Sequence, residues 1–192
     1  MHKSDDFISQ DVRYSLNIRK ASVEDADNIV CLVESAYRGE RSQQGWTTEA
    51  NLLDGQRTQR SEVEQLISQQ NSQIIVCELE HEIIASVHIC NKGEYAYLGM
   101  FAVSPQTQGK GVGKTLLNYI ENKMQKKWHV QYIEMTVITQ RVELINWYIK
   151  HGYELTGEKR PFPYGDSRFG IPKRDDLEFD VLKKKLEAVY RE

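Results

Sequence analysis

A glycine-rich segment between a predicted strand and a predicted helix constrains the fold of this chain most strongly. Residues 104–117 read SPQTQGKGVGKTLL, and the apolar run at residues 95–103 before them is typical of a buried strand. A loop that joins a strand to the start of a helix presents free backbone N–H groups, and the helix dipole adds to their attraction for an anion. Gly109, Gly111 and Gly113 would let a pyrophosphate approach the backbone closely, because they carry no Cβ.

Two common nucleotide motifs fit this loop poorly. The P-loop pattern requires a glycine where Gln108 stands, and the dinucleotide fingerprint requires one where Lys114 stands. The loop therefore departs from each of these two patterns at one residue. A glycine-rich turn that binds no ligand remains the alternative interpretation of the segment taken alone.

Strands and helices alternate along the rest of the chain. Apolar runs predict strands at residues 15–19, 73–79, 83–90, 95–103, 132–138, 153–159 and 177–182. Helical spacing predicts one helix that is capped by Ser22 with Asp25 and ends near Arg38, and others at residues 61–69, 111–126 and 142–151. The polar segments 40–58 and 160–176 are predicted to be irregular. The first 12 residues are expected to be a flexible N-terminus, and the segment from residue 183 onward a solvated tail.

This pattern predicts an α/β (α+β) fold in a single domain that covers residues 1–192. An antiparallel hairpin followed by strand–helix alternation implies a mixed, mostly antiparallel sheet of six to seven strands, with helices on its faces. Such a sheet binds phosphates at the carboxyl ends of its strands.

Composition excludes several classes of partner. A formal net charge of −3 gives no basic surface for nucleic acid. The apolar stretches are only strand-length, and Asp5 and Asp6 argue against a secretory signal, so neither a membrane partner nor secretion is expected and a cytoplasmic protein is predicted. Cys31, Cys77 and Cys90 are interpreted as reduced, mostly buried thiols, and the spacing of the cysteines and histidines predicts no metal site.

The segment LGMFAVSPQTQGKGVGKTLL resembles the signature of the GNAT family of N-acetyltransferases. That loop pattern is Gln or Arg, two residues, Gly, one residue, then Gly or Ala, and Gln108, Gly111 and Gly113 match it. Val103 and Pro105 fit the apolar strand end and the proline that precede the family's loop. In that family the loop binds the pyrophosphate of coenzyme A.

A second motif lies on the helix at residues 142–151. The family carries a tyrosine four positions before a glycine–aromatic pair, and Tyr148 precedes Gly152 and Tyr153 at that spacing. The specific part of the resemblance covers residues 98–153, within a motif region of 95–159. Two motifs in the expected order identify the chain as a member of the family and imply its fold.

The resemblance implies an acyl-CoA-dependent N-acetyltransferase of EC 2.3.1 type. Acetyl-CoA would be the cofactor, and a primary amine would attack its thioester directly in a ternary complex. By position, the Phe101 N–H would support the oxyanion, Val103 would bind pantetheine, and Tyr148 would protonate the leaving thiolate. A core role for Tyr148, which shares a helical stripe with Leu144, remains the alternative. The implied cofactor-binding residues are Phe101, Val103, Gln108, Gly109, Lys110, Gly111, Val112, Gly113 and Lys114.

The general base is not identified by the resemblance. Many family members carry a glutamate on the strand before the loop, and residues 98–101 contain no carboxylate. The candidates are Glu40, Glu49 and Asp54 in the polar loop, Glu94, which lies earlier than the position of that glutamate on the strand, and a chain of water molecules. Arg141 stands where the family often has an asparagine that contacts pantetheine, which puts that contact in doubt.

In this fold the acceptor lies opposite the cofactor, between the segments at residues 35–58 and 159–176. Candidate acceptor-binding residues there are Glu40, Trp46, Arg57 and Phe162. A bidentate clamp on an acceptor carboxylate is expected from Arg41, Arg57, Arg160 or Arg168. A small polar or carboxylated amine is therefore predicted as acceptor. An acyl-CoA sensor, a protein N-terminal or lysine acetyltransferase, and a homodimer remain open.

Overall fold

The computed structural model describes residues 16–186. The predicted flexible N-terminus at residues 1–12 lies outside these residues, as does the tail from residue 187. The strands are β1 (Asn17–Lys20), β2 (Leu53–Asp54), β3 (Ser72–Leu79), β4 (Glu82–Asn91), β5 (Tyr95–Val103), β6 (Tyr132–Ile138), β7 (Glu154–Pro161), β8 (Ile171–Pro172) and β9 (Glu178–Lys185). The helices are α1 (Ala26–Tyr37), α2 (Gly39–Ser42), α3 (Arg60–Ser68), α4 (Val112–Trp128) and α5 (Val142–Lys150).

Seven strands form one sheet in the order β1-β3-β4-β5-β6-β9-β7. Neighbouring strands are antiparallel except β5 and β6, which are parallel. The predicted mixed, mostly antiparallel sheet with flanking helices is confirmed. Within residues 16–186, none of the helices combines the length and apolarity that crossing a bilayer requires.

Three local expectations need correction. The predicted loop at residues 40–58 overlaps the single helical turn α2 at its start, and it contains the short strand β2. β2 pairs with β8, so this loop is hydrogen-bonded to the other irregular segment. Residues 183–185, predicted to be tail, extend β9, because Lys183 lies opposite Glu134 and Lys185 opposite Tyr132 in a continuous antiparallel register with β6. The corrections at β2 and β9 depend on pairing between distant segments, which a local pattern does not contain.

The predicted start of the first helix is confirmed with one addition. The Ser22 backbone N–H donates to the Asp25 carboxylate at 2.7 Å, and a short 3₁₀ turn over Val23–Asp25 leads into α1. Arg19 hydrogen-bonds the same carboxylate, and this lowers the pKa of Asp25 to about 2. The end of β1 and the start of α1 are therefore joined through one side chain.

Helices cover the two faces of the sheet at different places. On one face α4 inserts the fully buried Leu116, Ile120 and Met124 against β4, β5 and β6. On the other face α1 and α3 pack Ile29 and Val63 against β3 and the end of β5. The core is therefore split by the sheet, and β5 contributes to both halves.

A β-bulge in β5 decides which face its last residues occupy. Ser86 of β4 lies opposite Ala102 and His88 lies opposite Gly99, so Met100 and Phe101 have no partner residue on β4. Met100 has a positive φ of 46°. The extra residue changes the alternation of the strand, so that Phe101 packs against the same half of the core as Leu98, three positions earlier.

The parallel neighbours β5 and β6 separate after a short contact. Pairing covers only Tyr95 to Tyr97 of β5, opposite Tyr132 to Glu134 of β6. Beyond this contact the two strands diverge, and the bulged part of β5 faces the resulting gap. The widening gap between the strands positions the site described below.

Candidate functional site

A groove of about 350 Å³ runs along the end of β5, the glycine-rich loop and α5; we call it the loop groove. Its lining residues are Trp46, Thr47, Phe101, Val103, Thr107, Gln108, Gly109, Gly111, Gly113, Lys114, Leu144, Trp147, Tyr148 and His151. The structure thus brings together seven of the nine residues expected to bind a cofactor. The exceptions are Lys110, which is exposed beside the groove, and Val112, whose side chain is buried in the core.

The glycine-rich loop presents backbone N–H groups at the start of α4. The first helical hydrogen bond runs from the Thr115 N–H to the Gly111 carbonyl at 3.0 Å, so the N–H groups just before Thr115 have no helical partner. Gly109 and Gly111 have φ values of 80° and 83°, which other residues adopt at a cost. Such an array of N–H groups at the dipole's positive end fits a pyrophosphate.

The side chain of Gln108 connects this loop to the polar segment after α2. Its Oε1 accepts a hydrogen bond from the Trp46 N–H at 3.0 Å, and its Nε2 donates to Thr47 Oγ1 at 2.9 Å. The same Nε2 donates to the Val103 carbonyl at 3.0 Å. The amide of Gln108 is therefore occupied by protein groups, and it fixes the segment at residues 46–47 against the loop groove.

A second, smaller space of about 90 Å³ lies in the gap between β5 and β6; we call it the inner cavity. Its walls come from α1, the polar segment after α2, β5, β6, α5 and the segment at residues 162–179. Phe101, Leu144 and Tyr148 line both the inner cavity and the loop groove. These three residues therefore stand where two reactants in the two spaces would meet.

Tyr148 is 4% exposed and lies among aromatic rings. Its ring centroid is 5.1 Å from that of Trp147 and 5.6 Å from that of Tyr153. Within residues 16–186 its hydroxyl has no hydrogen-bond partner. Burial, and next the nearby Tyr37 phenol, raise the pKa of Tyr148 far above its usual value. The hydroxyl is therefore protonated and available as a donor at the junction of the two spaces.

Phe101 lies on the other wall of this junction, and contacts of its backbone hold it there. The Tyr37 hydroxyl donates to its carbonyl, and the bulge leaves the residue without a partner on β4. Because β6 has already diverged, the backbone of Phe101 is not enclosed by paired strands on both sides. This is the place where the sequence predicts an oxyanion donor.

Charged side chains form a cluster in the inner cavity. Glu49, which is 6% exposed, accepts hydrogen bonds from Arg38 and, at 2.7 Å, from Arg141 Nη1. Burial opposes the charge of Glu49, but Arg141, Arg38 and Arg57 outweigh it and lower the pKa of the carboxyl. Arg141 also donates to the Thr47 carbonyl. We call Arg38, Glu49, Arg57 and Arg141 the arginine cluster.

The predicted acceptor-binding residues are only partly brought together. Arg57 and Phe162 line the inner cavity, and Phe162 is 4% exposed there. Trp46 lines the loop groove instead, where its ring centroid is 6.3 Å from that of Trp147. Glu40 lies on α2, exposed and outside both spaces, because the single turn of α2 directs this part of the chain along the surface.

Of the four arginines expected to form a carboxylate clamp, only Arg57 lies at the inner cavity. Arg41 is exposed on α2. Arg160 is paired with Glu134 of β6 and with Glu158 of its own strand, and Arg168 is paired with Asp166. Arg160 and Arg168 are therefore engaged in local ion pairs outside the inner cavity.

The candidate bases are also separated from the junction, or held ionised. Asp54 is exposed and paired with Lys173, and Glu94 is exposed in the turn before β5. Glu49 lines the inner cavity, but its lowered pKa makes it a weak proton acceptor. Among the described residues, the inner cavity holds no carboxylate other than Glu49.

Sequence reasoning missed Tyr37 and Arg38 at the end of α1. Both line the inner cavity, and Arg141, noted only as a departure from the family's asparagine, joins them there. The available signal was a tyrosine and an arginine directly before a helix stop at Gly39. Nothing in that local pattern indicates that the partner of Arg38 lies eleven residues further on.

Comparison with known proteins bears on the family resemblance and on the fold. Residues 70–155 match the family model described as acetyltransferase (GNAT) domain. The predicted resemblance to this family is confirmed over these residues, and with it the predicted N-acetyltransferase class. No curated protein matches the sequence at a significant level.

Solved structures share the fold at low sequence identity. An N-acetyltransferase from Staphylococcus aureus Mu50 aligns with a TM-score of 0.68 and 12% identity, covering 90% of this chain and 98% of its own. The ribosomal-protein-S18-alanine N-acetyltransferase from Escherichia coli aligns with 0.64 and 13%, covering 92% and 97%. An acetyltransferase of the GNAT family from Streptococcus pneumoniae aligns with 0.62 and 18%, covering 90% and 100%. At these identities the comparison concerns the fold.

Proposed function

We propose that this protein transfers an acetyl group from acetyl-CoA to the primary amine of a small polar acceptor, by direct attack in a ternary complex. The observation that carries the proposal is the unpartnered hydroxyl of Tyr148 at the junction of the loop groove and the inner cavity. One space would hold the cofactor and the other the acceptor. We further propose one domain over residues 1–192 and a cytoplasmic setting, in which Cys31, Cys77 and Cys90 stay unpaired as they are here.

The loop groove fits coenzyme A along its length. The backbone N–H groups at residues 109–114 would hold the pyrophosphate, and Lys114 adds a positive charge to the same wall. Val103 on β5 would contact pantetheine, which leads toward Phe101 and Tyr148. The Phe101 N–H would then donate to the thioester oxygen as negative charge develops.

Tyr148 would act as the general acid. The leaving thiolate needs a proton, and a phenol that is kept neutral by burial can donate one when the thiolate forms beside it. The raised pKa keeps the hydroxyl protonated but makes it a weaker acid; because burial disfavours the thiolate as well as the phenolate, the proton can still pass to the sulfur. If Tyr148 only packs among the neighbouring aromatic rings, loss of its hydroxyl should leave the rate of acetyl transfer unchanged.

The acceptor amine would reach the thioester already neutral. Three arginines against one glutamate leave an excess of two positive charges in the lining of the inner cavity. Positive neighbours disfavour an ammonium ion and so lower its pKa. The arginine cluster would thus favour the neutral amine without itself accepting a proton, and bulk water would accept the proton that the ammonium loses.

Two rival functions make different predictions. An acyl-CoA sensor would bind acetyl-CoA and acetylate nothing. A protein acetyltransferase, such as the Escherichia coli ribosomal-protein-S18-alanine N-acetyltransferase, would acetylate a polypeptide N-terminus or a lysine side chain and no small amine. The volume of about 90 Å³ favours a small acceptor, because pockets for larger ligands span roughly 300–1,000 Å³.

The test is a thiol-release screen with acetyl-CoA over small amines, lysine peptides and N-terminal peptides at two pH values. The proposal expects turnover of one class of small amine, with Tyr148→Phe strongly impaired. Binding of acetyl-CoA without any thiol release would establish the sensor. Turnover confined to peptides would establish a protein acetyltransferase.

A further inference from the structure

We infer that the arginine cluster binds the carboxylate of the acceptor, and that the acceptor is therefore a small amino carboxylate. This inference rests on the proposed acetyl transfer. It assigns the anion to Arg57, supported by Arg38 and Arg141, rather than to surface arginines. Three features support it: a guanidinium without a partner among residues 16–186, a fixed frame around it, and a space of limited size.

Arg57 is the arginine of the cluster whose side chain is free. Within residues 16–186 its guanidinium has no hydrogen-bonded or ion-paired partner, although its backbone N–H is held by Glu34 at 2.6 Å. Its Cζ lies 5.8 Å from the centroid of the Tyr37 ring. A guanidinium has five N–H donors in a planar fork, and this geometry matches a carboxylate. The partly buried and unpaired guanidinium of Arg57 at the cavity can therefore bind an anion.

The rest of the cluster is held in place by Glu49. Arg141 Cζ lies 5.3 Å from the same Tyr37 ring, so Arg57 and Arg141 flank one aromatic side chain. Arg38 keeps one buried nitrogen, Nε, without a hydrogen bond, and its Nη2 reaches the Phe169 carbonyl only at 3.4 Å. The single carboxylate of Glu49 therefore pairs with Arg38 and Arg141, but it leaves Arg38 Nε without a hydrogen bond and does not pair with Arg57. A second carboxylate would complete the hydrogen bonding of this wall.

Size and placement define the rest of the acceptor. The inner cavity of about 90 Å³ admits a few non-hydrogen atoms beyond the carboxylate. Arg57 and Tyr148 both line this cavity, so the amine of a short amino acid can lie near Tyr148 while its carboxylate lies on Arg57. Fixing the carboxylate would also orient the nitrogen toward the thioester.

The experiment compares amino carboxylates with their carboxamides. Glycine, β-alanine, γ-aminobutyrate and the L-α-amino acids are each paired with the corresponding amide. Thiol release with acetyl-CoA gives kcat/KM, and calorimetry on the coenzyme A complex gives affinity without turnover. The proteins are wild type, Arg57→Ala, Arg57→Lys and the control Arg41→Ala, whose arginine is exposed outside both spaces.

We expect wild type to prefer one carboxylate over its amide by about 10- to 100-fold, the range for a hydrogen bond to a charged group. Arg57→Ala should remove that preference, Arg57→Lys should restore part of it, and Arg41→Ala should keep it. Equal use of the carboxylate and the amide, or equal selectivity in Arg57→Ala and Arg41→Ala, would overturn the inference while leaving acetyl transfer intact. Carboxylate-selective binding without thiol release would uphold the anion site and reject the transferase. Absence of carboxylate binding in every protein would overturn the inference.

Discussion

The loop groove and the inner cavity adjoin at Phe101, Leu144 and Tyr148, but they are built in different ways. The loop groove depends on backbone N–H groups and on glycines within one short stretch of chain. The inner cavity depends on side chains from six separate segments, held by ion pairs such as Glu49 with Arg141. A site built from backbone N–H groups can keep its ligand class while the side chains around it change. A site built from side chains can change its specificity through a few substitutions. The first space suits a constant cofactor and the second a particular acceptor.

The junction residue gives the largest expected effect. Tyr148→Phe removes the proposed general acid without changing the ring, and it should lower kcat by about 10²- to 10⁴-fold with the affinity for acetyl-CoA unchanged. Tyr153→Phe is the matched control, because its buried hydroxyl donates to Glu121 at 3.1 Å outside both spaces. Steady-state kinetics with calorimetry distinguishes the two. Equal kcat for Tyr148→Phe and wild type would return Tyr148 to a packing role.

The inner cavity should be the more sensitive region to loss of one charge. Glu49→Gln leaves Arg38 and Arg141 buried without a carboxylate, so the free energy of unfolding should fall by roughly 3 kcal/mol. Asp27→Asn, which breaks an exposed ion pair with Arg60, should cost less than about 1 kcal/mol. Urea denaturation measures both variants. Similar losses would mean that the buried cluster contributes little more than a surface pair.

The same carboxyl predicts a pH dependence of stability. The folded pKa of Glu49 lies below its unfolded value, so the pair stabilises the fold above the unfolded pKa of about 4.3, and that contribution is lost as pH falls through the folded pKa. Wild type should therefore lose stability more steeply on the acid side than Glu49→Gln. Parallel acid limbs in the two proteins would contradict this account.

The loop groove should respond to backbone strain rather than to charge. Gly111→Ala places a Cβ at a φ of 83° in open space, so it distorts the N–H array, and the affinity for acetyl-CoA should fall at least ~10-fold. Gly165→Ala imposes the same strain at a φ of 86°, also in open space, but outside both spaces. Both variants should lose similar stability in thermal denaturation. If both keep the wild-type affinity, the backbone of the loop does not bind the cofactor.

The smallest expected effect concerns the connection between the two regions. Gln108→Ala removes three hydrogen bonds that hold residues 46–47 and Val103, so hydrogen exchange in residues 43–49 should accelerate by roughly 5- to 10-fold. Gln106→Ala, which changes an exposed glutamine of the same loop, is the control. Unchanged exchange in Gln108→Ala would show that the two regions hold their shapes independently.

This contrast also explains what the sequence could predict. The strand at residues 95–103, the glycine loop and the helix after it follow from local patterns, and the structure agrees with their bounds within two residues. Tyr148 followed from a fixed spacing on one helix. In contrast, the meeting of Arg38, Glu49 and Arg141 depends on the pairing of β2 with β8 and on the divergence of β5 from β6. The bulge at Met100 has no proline or positive-φ glycine to indicate it.

Acetyl transfer requires that the loop groove bind acetyl-CoA rather than a nucleoside triphosphate. Calorimetric titration of the wild-type protein with acetyl-CoA, and separately with ATP and Mg²⁺, distinguishes the two ligands. We expect saturable binding of acetyl-CoA at one site per chain and no heat of binding with ATP. Binding of ATP with Mg²⁺ and none of acetyl-CoA would rule out the proposed function of the loop groove.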